Sequence, residues 1–246
     1  MVDKNSNIII GINPVNEALK SGKPIDKILI SKGWKNFSVS ELISKAKSKK
    51  ITIKEVDKKR LDYLTSNAVH QGVIAFVAAY NYSNLEDIFK LAEKRNENPF
   101  IIIADKIKDP HNLGAIIRSA ECAGAHGVII PKDNSATLNY TAFKAAAGAL
   151  EYIPVVKVVN LARTVDQLKQ KGLWIYATAA NGEPLYNESF KEPVAIILGN
   201  EGNGVSKLLL KKCDKTLALP MKGNISSLNV SVAGGIFMYE VLRKRF

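Results

Sequence analysis

The chain has 246 residues, of which 46% are hydrophobic and 24% charged, the composition of a folded globular protein. Its formal charge of +12 favours a polyanionic partner such as a nucleic acid, although a solvated lysine surface explains the same value. No apolar run reaches the ~18 residues of a membrane span, and the start lacks a signal-peptide pattern. The two cysteines have no metal-type spacing and suit a reducing cytosol. We therefore expect a cytoplasmic protein without a metal site.

The first 80 residues alternate short apolar runs with helical patterns, and they hold 14 basic and 7 acidic side chains. This predicts a small, basic α/β unit. Asn13 followed by Pro14 predicts a capped helix start, and this helix runs to Ser21–Gly22. Two further helices are predicted over Ser38–Lys50 and Lys58–Thr65. The predicted strands are Asn7–Gly11, Ile25–Ser31, Ile51–Val56 and Gly72–Tyr80.

The lysine cluster Lys45–Lys50 lies on the second of these helices. It is typical of a solvated helix face, and its place in the basic unit equally suits contact with RNA phosphates. The residue pattern leaves both interpretations open.

Residues 81–98 break the alternation. Ser83 with Glu86 has the pattern of a capping box, which predicts a short amphipathic helix over Leu85–Arg95. A polar run follows this helix. We interpret the segment as a linker with one helix between a domain at residues 1–80 and a domain at residues 99–246.

Alternation resumes in the second domain and predicts a mostly parallel sheet covered by helices on both faces. The predicted strands are Phe100–Ala104, Gly127–Pro131, Ile153–Val156, Leu173–Ala177, Val194–Leu198 and Thr216–Leu219. The predicted helices are Asn112–Ala123, Thr141–Ala149, Leu161–Lys171, Val205–Lys212 and Ser226–Lys244.

Three polar segments of this domain, residues 109–118, 197–204 and 219–231, each follow an apolar strand and precede or open a helix. Open parallel sheets place their ligand crevices at such points. Each segment also carries polar groups that a structural turn does not require. Three such segments in one domain indicate a site.

Each segment also has a purely structural interpretation. Arg118 is either a site residue or an exposed helix arginine paired with Glu121. The 197–204 loop is either a ligand-binding loop or a structural glycine-rich turn. It lacks the residues of a P-loop, and Glu201 would repel a pyrophosphate, so a neutral or cationic ligand fits better than a dinucleotide. Ser226 or Ser227 is predicted to cap the last helix, which leaves Asn229 unexplained.

The three segments resemble the signature motifs of the SpoU/TrmH RNA ribose 2′-O-methyltransferases. The motifs are Asn112-Leu113-Gly114-Ala115 with Arg118-Ser119-Ala120, Leu198-Gly199-Asn200-Glu201-Gly202, and Pro220-Met221 with Ser226-Ser227-Leu228-Asn229-Val230-Ser231. The first 80 residues, with Gly11-Ile12-Asn13-Pro14-Val15 and Val69-His70-Gln71-Gly72-Val73, resemble the ribosomal-protein-like substrate-binding domain of the branch that methylates a guanosine ribose of large-subunit (23S) ribosomal RNA.

This resemblance implies a parallel-sheet SPOUT domain with a deep C-terminal trefoil knot, which composition and periodicity do not predict. It implies S-adenosylmethionine as cofactor, ribosomal RNA as partner, no DNA, and a homodimer in which each site borrows residues from the other subunit. The catalytic set it implies is Asn112, Arg118, Glu201, Ser227 and Asn229. The cofactor-binding set it implies is Thr178, Gly199, Leu219, Met221 and Leu228.

Several alternatives stay open on the sequence alone. The resemblance implies that Arg118 accepts the proton of the ribose hydroxyl, but a guanidinium is a poor base near neutral pH. Arg118 therefore either accepts this proton or orients the hydroxyl. The substrate is either ribosomal or transfer RNA. A non-catalytic RNA-binding protein of ribosome assembly, and a nucleotide-binding enzyme that uses the loop at Gly199–Gly204, are the rival functions.

Overall fold

The computed structural model describes residues 8–20, 25–33, 37–49, 51–77, 80–224 and 227–246. The chain forms two compact units, Met1–Asn81 and Tyr82–Phe246. Parts of some predicted elements lie outside the described residues, namely Asn7, residues 21–22, Lys50 and residues 78–79. The predicted cap Ser226 also lies outside them.

The first unit is an α/β unit, as its alternating pattern predicts. Its strands pair in the order β1-β4-β2-β3, and the pair β2–β3 is parallel whereas the others are antiparallel. The strands are β1 Ile8–Ile10, β2 Ile25–Ser31, β3 Thr52–Val56 and β4 Val73–Val77. The helices are α1 Ile12–Lys20, α2 Phe37–Ser48 and α3 Lys58–Leu64.

Helix α1 begins at Ile12, so the prediction that Asn13 caps it is wrong. Gln71 Oε1 accepts a hydrogen bond from the Ile12 amide at 3.4 Å. Gly11, with φ of +98°, turns the chain immediately before the helix. The helix start therefore depends on a side chain 59 residues away, which local sequence does not reveal.

The two faces of this sheet are covered unequally. Helices α1 and α2 pack on one face in a cluster that includes Val15, Leu42 and Ile28. Helix α3 packs on the opposite face through Leu61 in a smaller cluster with Leu29. Alternate strand residues point to opposite faces, so the side chains of odd-numbered β2 residues from Lys27 onward lie on the α3 side.

The second unit contains a six-stranded parallel sheet in the order β10-β8-β9-β5-β6-β7, which confirms the predicted parallel-sheet domain. Its strands are β5 Phe100–Ala104, β6 Gly127–Pro131, β7 Val155–Val158, β8 Trp174–Pro184, β9 Val194–Leu198 and β10 Lys215–Ala218. Its helices are α4 Leu85–Arg95, α5 Pro110–Cys122, α6 Tyr140–Ala146, α7 Leu161–Gln170, α8 Lys207–Leu210 and α9 Val230–Arg245.

Helix α4, predicted within a linker, packs into the core of the second unit. Its Ile88 is fully buried in the cluster beneath the parallel sheet. The predicted capping pair of Ser83 and Glu86 is wrong by one residue, because the Asn84 amide donates to the Asp87 carboxylate at 2.9 Å. Ser83 instead donates its amide to the Val155 carbonyl at 2.9 Å, which holds it in an extended bridge beside β7.

Strand β8 continues well beyond the predicted end at Ala177. Ala177 pairs with Thr216 of β10, and the next β10 residue, Leu217, pairs with Glu183. Residues 178–182 therefore form an excursion from the ladder between β8 and β10. A register change of this size depends on the partner strand, so the local alternation of β8 does not predict it.

Smaller differences concern the ends of elements. Strand β7 begins two residues later than predicted, helix α8 is shorter, and α5 begins at Pro110 rather than Asn112. Within the described ranges, no helix is both long and apolar enough to cross a bilayer. The same ranges contain no cluster of His, Cys, Asp and Glu suited to a metal ion. The implied knot stays a prediction.

Candidate active site

The amino end of helix α5 carries a buried amide. Asp109 caps this helix, because its carboxylate accepts a hydrogen bond from the His111 amide at 3.0 Å. The cap places Asn112 in the first turn, where its side chain is only 7% exposed. A buried amide group needs hydrogen-bond partners for both its oxygen and its nitrogen.

Asn112 finds these partners in segments far along the chain. Its Nδ2 donates to Glu201 Oε1 at 2.9 Å, and its Oδ1 accepts from Asn229 Nδ2 at 3.0 Å. The two partners are 89 and 117 residues away. The three segments singled out in the sequence therefore meet at Asn112.

Asn229 explains the polar residues at the start of the last helix. Its Oδ1 accepts hydrogen bonds from the amide and hydroxyl of Ser231 at 2.8 and 2.6 Å, and from the Val232 amide at 3.4 Å. Asn229 is therefore the N-cap of α9, and the predicted cap at Ser227 is wrong. An asparagine cap serves as well as a serine, and its Nδ2 remains available for Asn112.

The loop after β9 has a closely defined shape. A Cβ at Gly199 would lie 2.2 Å from the carbonyl carbon of Gly204 and the nitrogen of Val205, so only glycine fits there. Asn200 and Gly204 exchange backbone hydrogen bonds at 3.1 and 2.8 Å. The Asn200 Nδ2 donates to Glu201 Oε2 at 3.2 Å. The Glu201 carboxylate thus receives one amide from within its loop and another from Asn112.

Sequence reasoning missed two residues that shape this region. The first is Asn200, for which the sequence pattern predicts no role. Besides its bond to Glu201, its Nδ2 donates to the Lys106 carbonyl at 3.1 Å. Asp105 is 2% exposed, and its Oδ2 accepts from the Ser206 amide at 2.7 Å. The signal for Asp105 was a carboxylate directly after an apolar strand, at the sheet edge where ligands bind.

The predicted cofactor residues come from neighbouring strands. Strands β10, β8 and β9 are adjacent and parallel, so the segments at their carboxyl ends share one edge of the sheet. Gly199 follows β9, and Leu219 and Met221 follow β10. Met221 and Leu228 remain 42% and 41% exposed. Exposed apolar side chains suit contact with an adenine or thioether group, which is largely apolar.

Thr178 opens the excursion at residues 178–182. Its Oγ1 donates to the Ile197 carbonyl at 3.2 Å and so ties this excursion to β9. The partner of this hydroxyl, Ile197, lies on β9 two residues before Gly199. Thr178 lies at the same sheet edge as the other predicted cofactor residues.

Arg118 and Ser227 are not bonded to the Asn112 cluster. Both side chains are exposed. Within the described part of the chain, neither side chain makes a hydrogen bond or an ion pair. Arg118 is therefore an exposed helix arginine, but it does not form the predicted pair with Glu121. Six residues at 100° each place Arg118 about 120° around helix α5 from Asn112. The guanidinium thus leaves the helix on a different side from the amide cluster.

Replacing Asn112 with aspartate will destabilise the amide cluster. The new carboxylate would lie against that of Glu201, where the present contact is a donor at 2.9 Å, and the cost expected for an unsatisfied buried group is about 1–3 kcal/mol. Hydrogen exchange at the Gly204 amide should become faster, and the thermal midpoint should fall. The control Asn203→Asp changes an exposed residue of the same loop. Equal protection in both variants would contradict the structural role of Asn112.

Two family models match the chain. Residues 99–239 match the model described as the SpoU rRNA Methylase family, and residues 8–83 match the model described as RNA 2′-O ribose methyltransferase substrate binding. A Bacillus subtilis protein named for the TrmH family of tRNA/rRNA methyltransferases is 45% identical over 96% of this chain and 95% of its own. A Staphylococcus aureus protein named for the same family is 44% identical over 97% and 96%.

Solved structures show the same fold. The SpoU methyltransferase AviRb from Streptomyces viridochromogenes, in complex with AdoMet, has a TM-score of 0.62 at 24% identity, over 97% of this chain and 89% of its own. An AdoMet-bound rRNA methyltransferase from Sinorhizobium meliloti has a TM-score of 0.59 at 26% identity, over 97% and 87%.

Proposed function

Because this chain belongs to the SpoU rRNA methylase family, we propose that it methylates the ribose 2′-hydroxyl of a guanosine in large-subunit ribosomal RNA in the cytoplasm. As a member of this family, the protein is an RNA 2′-O-methyltransferase that uses S-adenosylmethionine. The choice of ribosomal RNA and of guanosine rests on the resemblance of the first 80 residues to the branch with that substrate.

The hydrogen bonds of Asn112 are the observation that carries this proposal. They join Glu201 in the predicted cofactor loop to Asn229 at the start of α9, beside the apolar Leu228. S-adenosylmethionine supplies a methyl group on a sulfonium sulfur, which leaves as a neutral thioether. The turn at Gly199 and the apolar surfaces of Leu219, Met221 and Leu228 would hold this donor at the sheet edge.

The chain's own residues then have two tasks. They align the 2′-oxygen with the methyl carbon and the sulfur, because an activated methyl group mainly requires correct orientation. They also assist the loss of the hydroxyl proton, which passes to solvent water as the new carbon–oxygen bond forms and the carbon–sulfur bond breaks. A guanidinium retains its proton near neutral pH, so Arg118 orients the hydroxyl and an adjacent phosphate. Asn112 and Asn229 hold the Glu201 loop in place, and the family motif assigns contact with the ribose to Ser227.

The position of Arg118 suits a site shared between two subunits. Its exposed side chain leaves α5 away from its own amide cluster, and α9, which packs beside α5, exposes Val232 and Tyr239 at 52% and 51%. Exposed apolar residues on a helix that packs beside the one carrying Arg118 are typical of a surface that another subunit covers. We therefore propose a homodimer in which each Arg118 serves the partner's site.

The function is tested by incubating the purified full-length chain with labelled S-adenosylmethionine and one of three substrates: large-subunit ribosomal RNA, transfer RNA or the DNA equivalent. Methyl transfer to ribosomal RNA, mapped to one guanosine 2′-oxygen, is the expected result. DNA should accept none, because it lacks the nucleophile. Transfer to a base atom, or no transfer to any RNA, would overturn the proposal.

Transfer RNA is the second candidate substrate. The names of the Bacillus and Staphylococcus relatives cover both tRNA and rRNA, which is the observation in its favour. Methyl transfer to transfer RNA alone in the same assay would select it. In both cases the chemistry at the 2′-oxygen is the same.

A further inference from the structure

The α3 side of the N-terminal sheet carries a group of cations and aromatic rings. We call it the basic–aromatic face, and it consists of Lys27, Lys54, Arg60, Tyr63 and Phe76. Lys27 Nζ lies 4.6 Å from the centre of the Phe76 ring, and the Arg60 guanidinium lies 6.0 Å from the centre of the Tyr63 ring. Such contacts orient the cations while their charge remains available to a ligand.

The charges of this face are not neutralised within the described ranges. Lys27, Lys54 and Arg60 form no ion pair there. Burial, followed by repulsion from Lys54 and Arg60, lowers the pKa of Lys27. Like charges that are close enough to repel one another are stabilised by a polyanion, which removes the repulsion when it binds.

The lysines on the opposite side of the sheet differ in this respect. Lys45 pairs with Glu41, Lys20 pairs with Glu17, and Lys49 donates to the Leu19 carbonyl. The α2 lysine cluster is therefore partly engaged within the protein. The uncompensated charge of the described N-terminal residues is concentrated on the α3 side.

The shape of the surface also suits a nucleic acid strand. An open concavity of about 680 Å³ is lined by the α3 residues Lys58, Lys59, Arg60 and Tyr63 and by Asp57. The Asp57 carboxylate is paired with Lys32 at 3.2 Å. The Tyr63 ring is 78% exposed. An exposed ring next to cations offers a stacking platform for an unpaired base, while the cations contact phosphates. A duplex presents no free base face to such a ring.

We propose that the basic–aromatic face binds unpaired nucleotides of the RNA substrate, with a base stacked on Tyr63 and phosphates on Lys54 and Arg60. This inference rests on the proposed function, because it names the surface that recruits the RNA to be methylated.

Binding of a single-stranded RNA 12-mer, and of a duplex of the same length, to the full-length chain tests this proposal. Tyr63→Ala should weaken single-strand binding about tenfold, the effect of losing one stacked base, whereas Tyr63→Phe should retain it. Lys54→Gln/Arg60→Gln should reduce the slope of log affinity against log salt by about 1.4, as expected for two phosphate contacts. The matched control Lys20→Gln/Lys47→Gln removes the same charge from the α1–α2 side.

The proposal fails if Tyr63→Ala binds the single strand as tightly as the wild type. It also fails if the control pair lowers affinity as much as Lys54→Gln/Arg60→Gln, because the α1–α2 side would then bind the RNA, or if the duplex binds with the same dependence on Tyr63. Methyl transfer by the wild-type chain is measured separately. If one of these binding results occurs while the wild-type chain transfers methyl groups normally, only this inference is refuted. If the wild-type chain transfers no methyl group, the proposed function is refuted.

Discussion

Replacing Arg118 with alanine will lower the rate of methyl transfer by about a hundredfold to a thousandfold, the range seen when one group that acts on the transition state is removed. The dissociation constant for S-adenosylmethionine should change little, because Arg118 forms neither a hydrogen bond nor an ion pair with the described residues of the loop at 199–204. The matched control is Arg163→Ala, which removes another exposed helix arginine from α7. Rate and affinity are measured separately, by single-turnover transfer and by titration.

The variant Arg118→Lys separates charge from geometry. Lysine keeps the positive charge but lacks the planar, forked donors of a guanidinium, so we expect it to recover only a small part of the lost rate. Full activity in Arg118→Ala would remove this residue from the mechanism. Equal loss in Arg163→Ala would show that the effect comes from the overall charge for RNA binding.

Replacing Gly199 with alanine will raise the dissociation constant for S-adenosylmethionine by more than about a hundredfold, or about 2.7 kcal/mol. The new methyl group would lie 2.2 Å from backbone atoms of Gly204 and Val205, and backbone cannot rotate away as a side chain would. The loop must open, and the shape that we propose receives the donor is then lost. Isothermal titration measures the change.

Gly202→Ala is the matched control in the same loop. A Cβ at Gly202 would meet only Asn200 Oδ1, at 3.5 Å, which is an ordinary contact. We expect affinity within about threefold of the wild type, a difference below 1 kcal/mol. Similar losses in Gly199→Ala and Gly202→Ala would show that the loop responds to any added bulk, and the specific role of Gly199 would be refuted.

Mixing the two inactive variants tests the shared site. If Arg118 serves the partner's site, a dimer of one Arg118→Ala and one Gly199→Ala subunit contains one complete site. Random exchange between two-fold dimers should then restore about a quarter of the wild-type activity. If all catalytic residues act within one subunit, the mixture will stay inactive.

Helices and strands were predictable where the local pattern of apolar residues matches the burial of that segment in the folded chain. Buried strands such as Phe100–Ala104 and Val194–Leu198 have the expected bounds because continuous apolar runs are typical of a parallel sheet. The start of α1 was not predictable, because Gln71 completes it from the other end of the unit. The long register change at residues 178–182 depends on β10 in the same way.

The candidate site was predictable as a set of segments, but not as a set of contacts. The motifs placed Asn112, Glu201 and Asn229 in one site, and hydrogen bonds join them. The motifs did not show that Asn229 is the helix cap, because Ser227 has the same capping chemistry at a neighbouring position. They also did not show that Arg118 stands apart, since the direction of a side chain follows from helix geometry rather than from its place in a motif.

The hydrogen bond between Asn112 and Asn229 has a consequence for the order of events during synthesis. The two residues are separated by 117 positions, so at about 5–20 residues per second the ribosome needs about 6–23 s to make the second after the first. Until Glu201 has been made, 89 residues after Asn112, the amide of Asn112 has only water as a partner, and its oxygen waits for Asn229 throughout the interval. The nascent chain therefore completes the hydrogen bonds of Asn112 late. If the residues near 229 are released late from the ribosome, the chain should stay inactive and prone to aggregation for longer.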